Sequence, residues 1–304
     1  MSKITGNKIL IVILIIFIVG LFVCLLKINF SNQSAKVPAT NLKLQVVTSF
    51  YPLYFFTTQI AQDKAEVHNI TPSGAEPHDY EPTTMDMVKI ENSQLLIING
   101  GNFEGWANNV QNILGKQNTA IVNIGKSFVG PDPHFWLDPM MAKKEVEIIT
   151  QNLIAIDPLN ADFYANNSRL LTDKLEILNN QFKNELSNCQ KKDIITAHAA
   201  FGYLAREYGL NQISISGLSP DAEPSTKKLT EIADYAKKNQ LQYIFFESLV
   251  SPKLADTIAQ EIGAKTLVLN PIEGITDEDI KNGKNYFTEM QNNLINLKIA
   301  LQCQ

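Results

Sequence analysis

The chain contains four histidines, and three of them lie where a side chain can reach a ligand. His78 lies in the Pro- and Gly-rich segment TPSGAEPHDYEPT, and His134 lies in DPHFWLDP. His198 ends the strand-like run DIITAH. Three neutral imidazoles with one carboxylate form a tetrahedral donor set that suits Zn²⁺. The spacing equally allows the alternative that each histidine is a loop or capping residue whose hydrogen bonds are satisfied within the protein.

Strand-like and helix-like segments alternate along the chain and must position these histidines. The β-branched, strand-like runs are 44–49, 65–70, 94–99, 120–124, 193–198, 212–216, 242–247 and 266–270. Their continuous apolar character predicts parallel sheets that are buried on both faces. Ligands of such sheets bind at the carboxyl ends of the strands, where His78 and His198 lie in different halves of the chain. His68 lies within a strand-like run, so we exclude it from the site.

The middle of the chain has no strand signal and separates two halves of similar pattern. We predict a helix that ends near Ile156, a break at Asp157-Pro158, and a long helix from about Asn160 to Asn188. Asp157 is expected to cap the long helix with its side chain. The predicted organisation is an N-terminal lobe (43–139), connecting helices (140–190) and a C-terminal lobe (191–304).

Residues 1–27 are predicted to be a signal or anchor segment, and residues 28–42 a polar tether. An unbroken apolar run, 9–26, is flanked by lysines and is just long enough to span a bilayer. An uncleaved anchor is favoured over a cleaved signal, and lipidation at Cys24 comes third because Val23 precedes it where lipoprotein signals have a small residue. All three alternatives place the rest of the chain outside the cytoplasm, either in the periplasm or on the outer face of the membrane.

The charge of the chain excludes some classes of function. The four lysines of residues 1–40 leave 22 basic and 31 acidic residues, a net charge of −9, in the rest of the chain. This net negative charge does not favour the binding of nucleic acid, because contacts to phosphate need clustered Lys and Arg. No Gly-x-x-x-x-Gly-Lys-Ser/Thr loop is present in the sequence, so any nucleotide hydrolysis belongs to a partner.

Cys189 and Cys303 could pair in an oxidising compartment or remain free thiols.

Several motifs in order resemble those of the zinc and manganese receptors of bacterial ABC importers. They are PSGAEPHDYEPT, NGGNFEGW, DPHFWLDP, AHAAFGYLAREYGL, SGLSPDAEPS and LNPIEG. The resemblance extends from about residue 42 to the C-terminus. It implies an α/β fold of two lobes with four-stranded parallel sheets, joined by one long rigid helix, with the metal in the cleft between the lobes.

The same resemblance implies a ligand set. The family's three ligand histidines fall on His78, His134 and His198, and manganese receptors of the family typically have Glu in the third position, so His198 favours zinc. Asn270 stands where many members have a ligand Asp. Some zinc receptors of the family use a Glu three residues later, so we expect Glu273 to be the fourth ligand. Glu247 or a water molecule is the alternative.

Other side chains are expected to support the ligands. A carboxylate could hold the second ring nitrogen of each histidine, and Asp79, Glu81, Asp138 and Glu223 lie close to the motifs. Each of these acids could instead serve only as a cap or in a loop hydrogen bond. Phe135, Trp136 and Phe201 could line the cleft.

The expected function is that of a monomeric receptor, not an enzyme, which captures Zn²⁺ as cargo and delivers it to an ABC permease and its ATPase. A receptor for Mn²⁺ or another divalent metal is the first alternative. A zinc hydrolase is disfavoured because the chain has no His-Glu-x-x-His sequence and because Glu273 would fill the open position that catalysis needs. A surface adhesin is the third alternative.

Overall fold

Two groups of parallel strands lie on either side of a long helix. The computed structural model describes residues 43–114 and 119–304. The predicted signal or anchor segment (1–27) and tether (28–42) lie outside the described residues. Within the described ranges, no helix is long and apolar enough to cross a bilayer.

The first sheet contains four parallel strands in the order β2-β1-β3-β4. The strands are β1 (Leu44–Thr48), β2 (Ala65–Asn69), β3 (Leu95–Ile98) and β4 (Ala120–Asn123). Every residue of β3 is buried, which explains its uninterrupted run of Leu and Ile. The helices of this lobe are α1 (Tyr51–Ala61), α2 (Thr84–Asn92) and α3 (Ala107–Leu114).

Two antiparallel helices connect the halves of the molecule: α4 (Pro139–Ile156) and α5 (Ala161–Leu186), the second of 26 residues. They are separated by a short 3-10 turn at Pro158–Asn160, so the predicted break is confirmed. The prediction that Asp157 caps the long helix is wrong. Its carboxylate instead accepts hydrogen bonds from Asn160 Nδ2 and Tyr164 Oη, both at 2.7 Å, because these side-chain donors return to it from the first turns of the helix.

The second half contains two parallel strand pairs, β5–β6 and β7–β8, and β5 lies beside β7. The strands are β5 (Asp193–Thr196), β6 (Asn211–Ser214), β7 (Tyr243–Phe246) and β8 (Lys265–Val268). The helices are α6 (Gly202–Glu207), α7 (Thr226–Lys238), α8 (Lys253–Ile262), α9 (Asp277–Lys281) and α10 (Tyr286–Leu301). All eight predicted strands are confirmed to within two residues at each end, and so is the α/β fold with its long central helix.

An aromatic core joins the two halves directly. In α1, Phe55 and Phe56 contact Tyr286 of α10, with ring centroids 6.0 and 4.9 Å apart. Phe50, just before α1, contacts Trp136 at 4.7 Å. These side chains belong to one buried cluster that extends from β1 to α10. A wide separation of the lobes would expose this cluster to water, so we expect relative lobe motion to be small.

A disulfide bond joins Cys189 and Cys303, which are separated by 114 residues. Cys189 follows the end of α5, and Cys303 follows the end of α10. The two cysteines also form an isolated antiparallel bridge. The bond therefore ties the C-terminal helix to the end of the long helix. The sequence left open whether these cysteines pair or remain free thiols, and in the structure they pair.

Replacing both cysteines (Cys189→Ser with Cys303→Ser) should lower the free energy of unfolding by about 2–4 kcal/mol, because closing a long loop restricts the unfolded chain. Thermal or urea unfolding under oxidising conditions measures this loss. A thiol reductant is the control: it should destabilise the unmodified protein and leave the double variant unchanged. Equal stability of the two proteins under oxidising conditions would contradict a stabilising disulfide.

Candidate metal centre

Four side chains from four different loops meet between the two lobes: His78, His134, His198 and Glu273. Glu273 Oε1 lies 3.4 Å from His78 Nε2, 3.3 Å from His134 Nε2 and 3.4 Å from His198 Nε2. The Nε2 atoms of His134 and His198 are 3.3 Å apart. All four side chains are at most 7% exposed. His68 lies away from them on β2, beside Glu66.

These separations match the dimensions of a tetrahedral zinc site. Zinc binds imidazole nitrogen and carboxylate oxygen at about 2.0–2.1 Å, and a regular tetrahedron of that size has edges of about 3.3–3.4 Å. An octahedron with the same bond length has shorter edges, about 2.8–3.0 Å. The four donor–donor distances given above therefore have the spacing of ligands around one four-coordinate ion.

Each of the four side chains lies in a loop between elements of the fold. His78 lies in the loop between β2 and α2, His198 lies two residues after β5, and Glu273 lies between β8 and α9. His134 comes just before a 3-10 turn, and Asn99 Nδ2 holds its loop by donating to Pro133 O at 2.9 Å.

The backbone at Asn99 is itself anchored by Glu104. The Glu104 carboxylate accepts from Asn99 N at 2.6 Å and from Gly100 N at 2.9 Å. Glu104, which belongs to the NGGNFEGW motif, thus supports the His134 loop from behind and lies outside the four-residue cluster.

Two carboxylates orient the imidazole rings. Asp132 Oδ1 lies 2.8 Å from His134 Nδ1, and Glu247 Oε2 lies 2.7 Å from His198 Nδ1. Glu247 Oε1 also accepts from the backbone N–H of His198 at 3.0 Å. In a neutral ring, a carboxylate at Nδ1 assigns the ring proton to that nitrogen, so Nε2 then directs its lone pair into the cluster. Glu247 is committed to His198 and is absent from the four-residue cluster.

The acids suggested by the sequence do not hold the ring nitrogens, and for Asp138 the alternative left open, helix capping, is confirmed. Asp138 caps α4 by accepting from Met140 N at 2.8 Å. Among the described residues, no hydrogen bond joins Asp79, Glu81 or Glu223 to a ring nitrogen of these histidines. Asp132 was missed, although it lies two residues before His134 in the same motif. That spacing also lets its carboxylate accept from His134 N, at 3.0 Å.

Burial and charge act in opposite directions on the ionisation of the site. Burial alone would lower the pKa of His198, but Glu247 and Glu273 raise the pKa to about 10. Burial would raise the pKa of Glu273, but the three imidazoles hold that pKa well below its usual range. The metal-free cluster thus favours an ionised Glu273 and a proton on His198, and a metal ion must displace that proton.

A family model described as ZnuA, zinc-uptake complex component A, periplasmic, matches residues 46–300. The chain belongs to this family. It is 40% identical over 309 residues to the high-affinity zinc uptake system protein ZnuA of Bacillus subtilis, covering 93% of this chain and 97% of that protein. The range matched by the family model, 46–300, agrees with the motif resemblance, which extends from about residue 42 to the C-terminus.

Two further similarities concern Streptococcus pneumoniae. The chain is 40% identical over 277 residues to the zinc-binding lipoprotein AdcA, covering 84% of this chain and 55% of that protein. It therefore spans about half the length of AdcA. The crystal structure of the Zn(II)-bound ZnuA-like domain of AdcA superposes with a TM-score of 0.77 at 41% identity, covering 85% of this chain and 99% of that domain.

Aromatic rings enclose the cluster of this ZnuA-family protein. The ring of Phe103 lies 4.4 Å from that of His78, and the ring of Trp136 lies 5.3 Å from that of His134. Trp136 thus contacts the site as expected, whereas Phe135 stacks on Phe128 at 4.2 Å. Phe103 was missed by sequence reasoning because it lies more than twenty residues from the nearest ligand histidine.

An acidic cavity of about 590 Å³ adjoins the cluster. Its lining includes Glu76 and Asp79 from the loop of His78, and Asp221 and Glu223 from the other lobe. Burial, together with the nearby charge of Glu273, raises the pKa of Glu76 to about 8. Glu76 is therefore mostly protonated at pH 7, and the other acids of the lining supply the negative charge that raises the local concentration of cations at low ionic strength.

Zinc binding should release at least one proton at pH 7.5, because the metal-free protein holds a proton on His198 below a pKa of about 10. As pH rises, competition from this proton falls, so the apparent affinity should increase about tenfold per pH unit between about pH 7 and 9. Calorimetry in buffers of different ionisation enthalpy counts the released protons. His68→Ala is the control and should release the same number. Binding without proton release would contradict this description of the metal-free site.

Proposed function

We propose that this chain is the extracytoplasmic receptor of an ABC importer and that it captures Zn²⁺ with His78, His134, His198 and Glu273. The observation that carries the proposal is the set of four donor–donor distances of 3.3–3.4 Å among buried side chains. Membership of the ZnuA family and the similarity to the B. subtilis zinc uptake protein support it.

The donor set favours zinc over manganese for two reasons. Three imidazoles and a single carboxylate oxygen are softer than the oxygen-rich sets that suit Mn²⁺. The spacing also fits four-coordinate tetrahedral geometry, which is the usual arrangement around Zn²⁺ in proteins, whereas octahedral sites rich in oxygen suit Mn²⁺. His198 contributes to both reasons, because a carboxylate in its place would add a second hard donor.

The surroundings of the site suit tight capture. The two charges of the ion face the carboxylate of Glu273 directly and those of Asp132 and Glu247 through the imidazole rings. These carboxylates offset the cost of burying the ion.

Capture, and not catalysis, is the function that this donor set supports. Hydrolytic zinc sites keep a coordination position open for water, whereas Glu273 Oε1 lies within 3.4 Å of all three imidazoles and would fill that position. The zinc hydrolase alternative is disfavoured for this reason.

Delivery requires a partner. The sequence has no phosphate-binding loop of the Gly-x-x-x-x-Gly-Lys-Ser/Thr type, so the ATPase of an importer would supply the energy. Residues 1–27 would direct the chain out of the cytoplasm and hold it near the permease, and the tether (28–42) would give it reach. The aromatic core between α1 and α10 limits the lobe motion that accompanies release.

Removing a ligand should weaken zinc binding far more than removing the histidine outside the site. We expect His198→Ala and Glu273→Ala to raise the zinc Kd by at least about 100-fold, since even the partners of ligands are worth about 10–100-fold. Competition with a chromophoric chelator measures the Kd. His68→Ala is the matched control and should bind like the unmodified protein.

The outcomes separate the alternatives. Unchanged binding by Glu273→Ala would mean that a water or another group is the fourth ligand. Equal losses in His68→Ala and His198→Ala would contradict the ligand assignment. A preference for Mn²⁺ over Zn²⁺ under equal competition would contradict the proposed cargo.

A further inference from the structure

The loop that presents Glu273 has an unfavourable backbone conformation. Ile272, the residue immediately before it, has φ of 58° and is fully buried. A β-branched residue rarely adopts this left-handed region, because its side chain crowds the backbone. Such a conformation persists only where surrounding contacts fix it. The orientation of Glu273 therefore depends on groups that hold the turn.

Asn270 provides those contacts. Its side-chain Oδ1 accepts from Ile272 N at 2.8 Å and closes an Asx turn over Pro271. Its Nδ2 donates to Glu289 Oε2 on α10 at 2.9 Å. Its backbone N–H and C=O both bond to the Asn293 side chain, at 2.8 and 2.7 Å. Every polar group of this buried residue has a partner within the protein.

A second tie connects the same turn to the segment of another ligand. Trp136 Nε1 donates to Pro271 O at 2.6 Å, and Trp136 lies two residues after His134. The turn is thus fixed on one side to α10 and on the other to the loop that carries His134. Movement of the turn would shift Glu273 relative to the imidazoles.

We propose that Asn270 is the positioning residue for the fourth ligand: its amide holds the turn that directs Glu273 at the three histidines, without touching the ion itself. The inference rests on the proposed zinc capture. It also explains why an amide stands at position 270. Glu289 presents an acceptor there, so residue 270 must supply a donor, and Asp would place two carboxylates about 2.9 Å apart.

The test is the isosteric change Asn270→Asp in the whole protein, with zinc Kd and the visible spectrum of bound Co²⁺ as readouts. We expect the Kd to rise about 10–100-fold, as for other groups that orient a ligand, and the intense tetrahedral Co²⁺ bands to weaken. The double variant Asn270→Asp with Glu289→Gln should recover most of the loss, because the Gln amide can donate to the new carboxylate. Asn270→Ser replaces the amide with one short hydroxyl, which cannot bond both Ile272 N and Glu289, and adds no charge. It should show a similar loss and is the variant to use if Asn270→Asp does not fold.

Asn296→Asp is the matched control. Asn296 lies on the same helix and donates to Val268 O at 2.8 Å, so the substitution removes a comparable bond between α10 and β8 but does not touch the turn. It should lower the melting temperature while leaving the zinc Kd within about threefold, in line with the small effect expected of a group that does not orient a ligand.

Three results would overturn the inference. The first is unchanged zinc affinity in Asn270→Asp and Asn270→Ser. The second is an equal loss of affinity in Asn296→Asp, which would indicate general destabilisation. The third is tighter zinc binding by Asn270→Asp with Glu273→Ala than by Glu273→Ala alone, which would place the side chain of residue 270 within reach of the ion. Failure of the proposed function is distinct, because the unmodified protein would then bind no zinc through Glu273.

Discussion

Three imidazole lone pairs and one carboxylate oxygen converge on a point that is almost closed to solvent. Without a positive charge between them, these atoms would repel one another, and burial would deprive them of water. A proton on one of the rings, or a metal ion between the four donors, must therefore supply that charge. The surrounding structure keeps the four donors in place against this repulsion, and the proposed affinity for a cation and its expected pH dependence both rest on that arrangement.

The fold meets that demand by fixing each donor from outside the cluster. Asp132 and Glu247 set the direction of two imidazoles, Glu104 anchors the backbone that supports the His134 loop, and Asn270 holds the turn that carries Glu273. The aromatic contacts between α1 and α10 then keep the two halves in register. Since the four donors already have the spacing of a tetrahedral site, we expect metal binding to lose little free energy in ordering the protein.

Much of this architecture can be predicted from local sequence. Short β-branched or apolar runs identify all eight strands, and Asp157-Pro158 identifies the break before the long helix, because both signals come from residues adjacent in the chain. The four residues of the cluster were predicted from motifs that resemble a known family, and spacing alone left them open to a structural alternative.

The contacts that orient the ligands could not be predicted in the same way. Glu247 reaches His198 across 49 residues, and Glu289 reaches Asn270 from a helix with no metal-binding motif. The pairing of Cys189 with Cys303 depends on where two helices end in space. The prediction for Asp157 was wrong for the same reason. The preference of Asp for helix starts does not specify which donors its carboxylate will bind. Residue 270 is the most informative difference from the common family pattern. Interpreting Asn270 only as the loss of a ligand Asp would overlook the turn that its side chain holds.

The most direct test of the central claim is X-ray absorption spectroscopy at the zinc edge of the loaded protein. The site described here predicts four nitrogen or oxygen neighbours at about 2.0–2.1 Å, with multiple-scattering features from three imidazoles. Glu273→Ala should keep the three imidazoles and exchange one oxygen for water. A shell of five or six ligands, a sulfur neighbour, or fewer than three imidazoles would contradict the account.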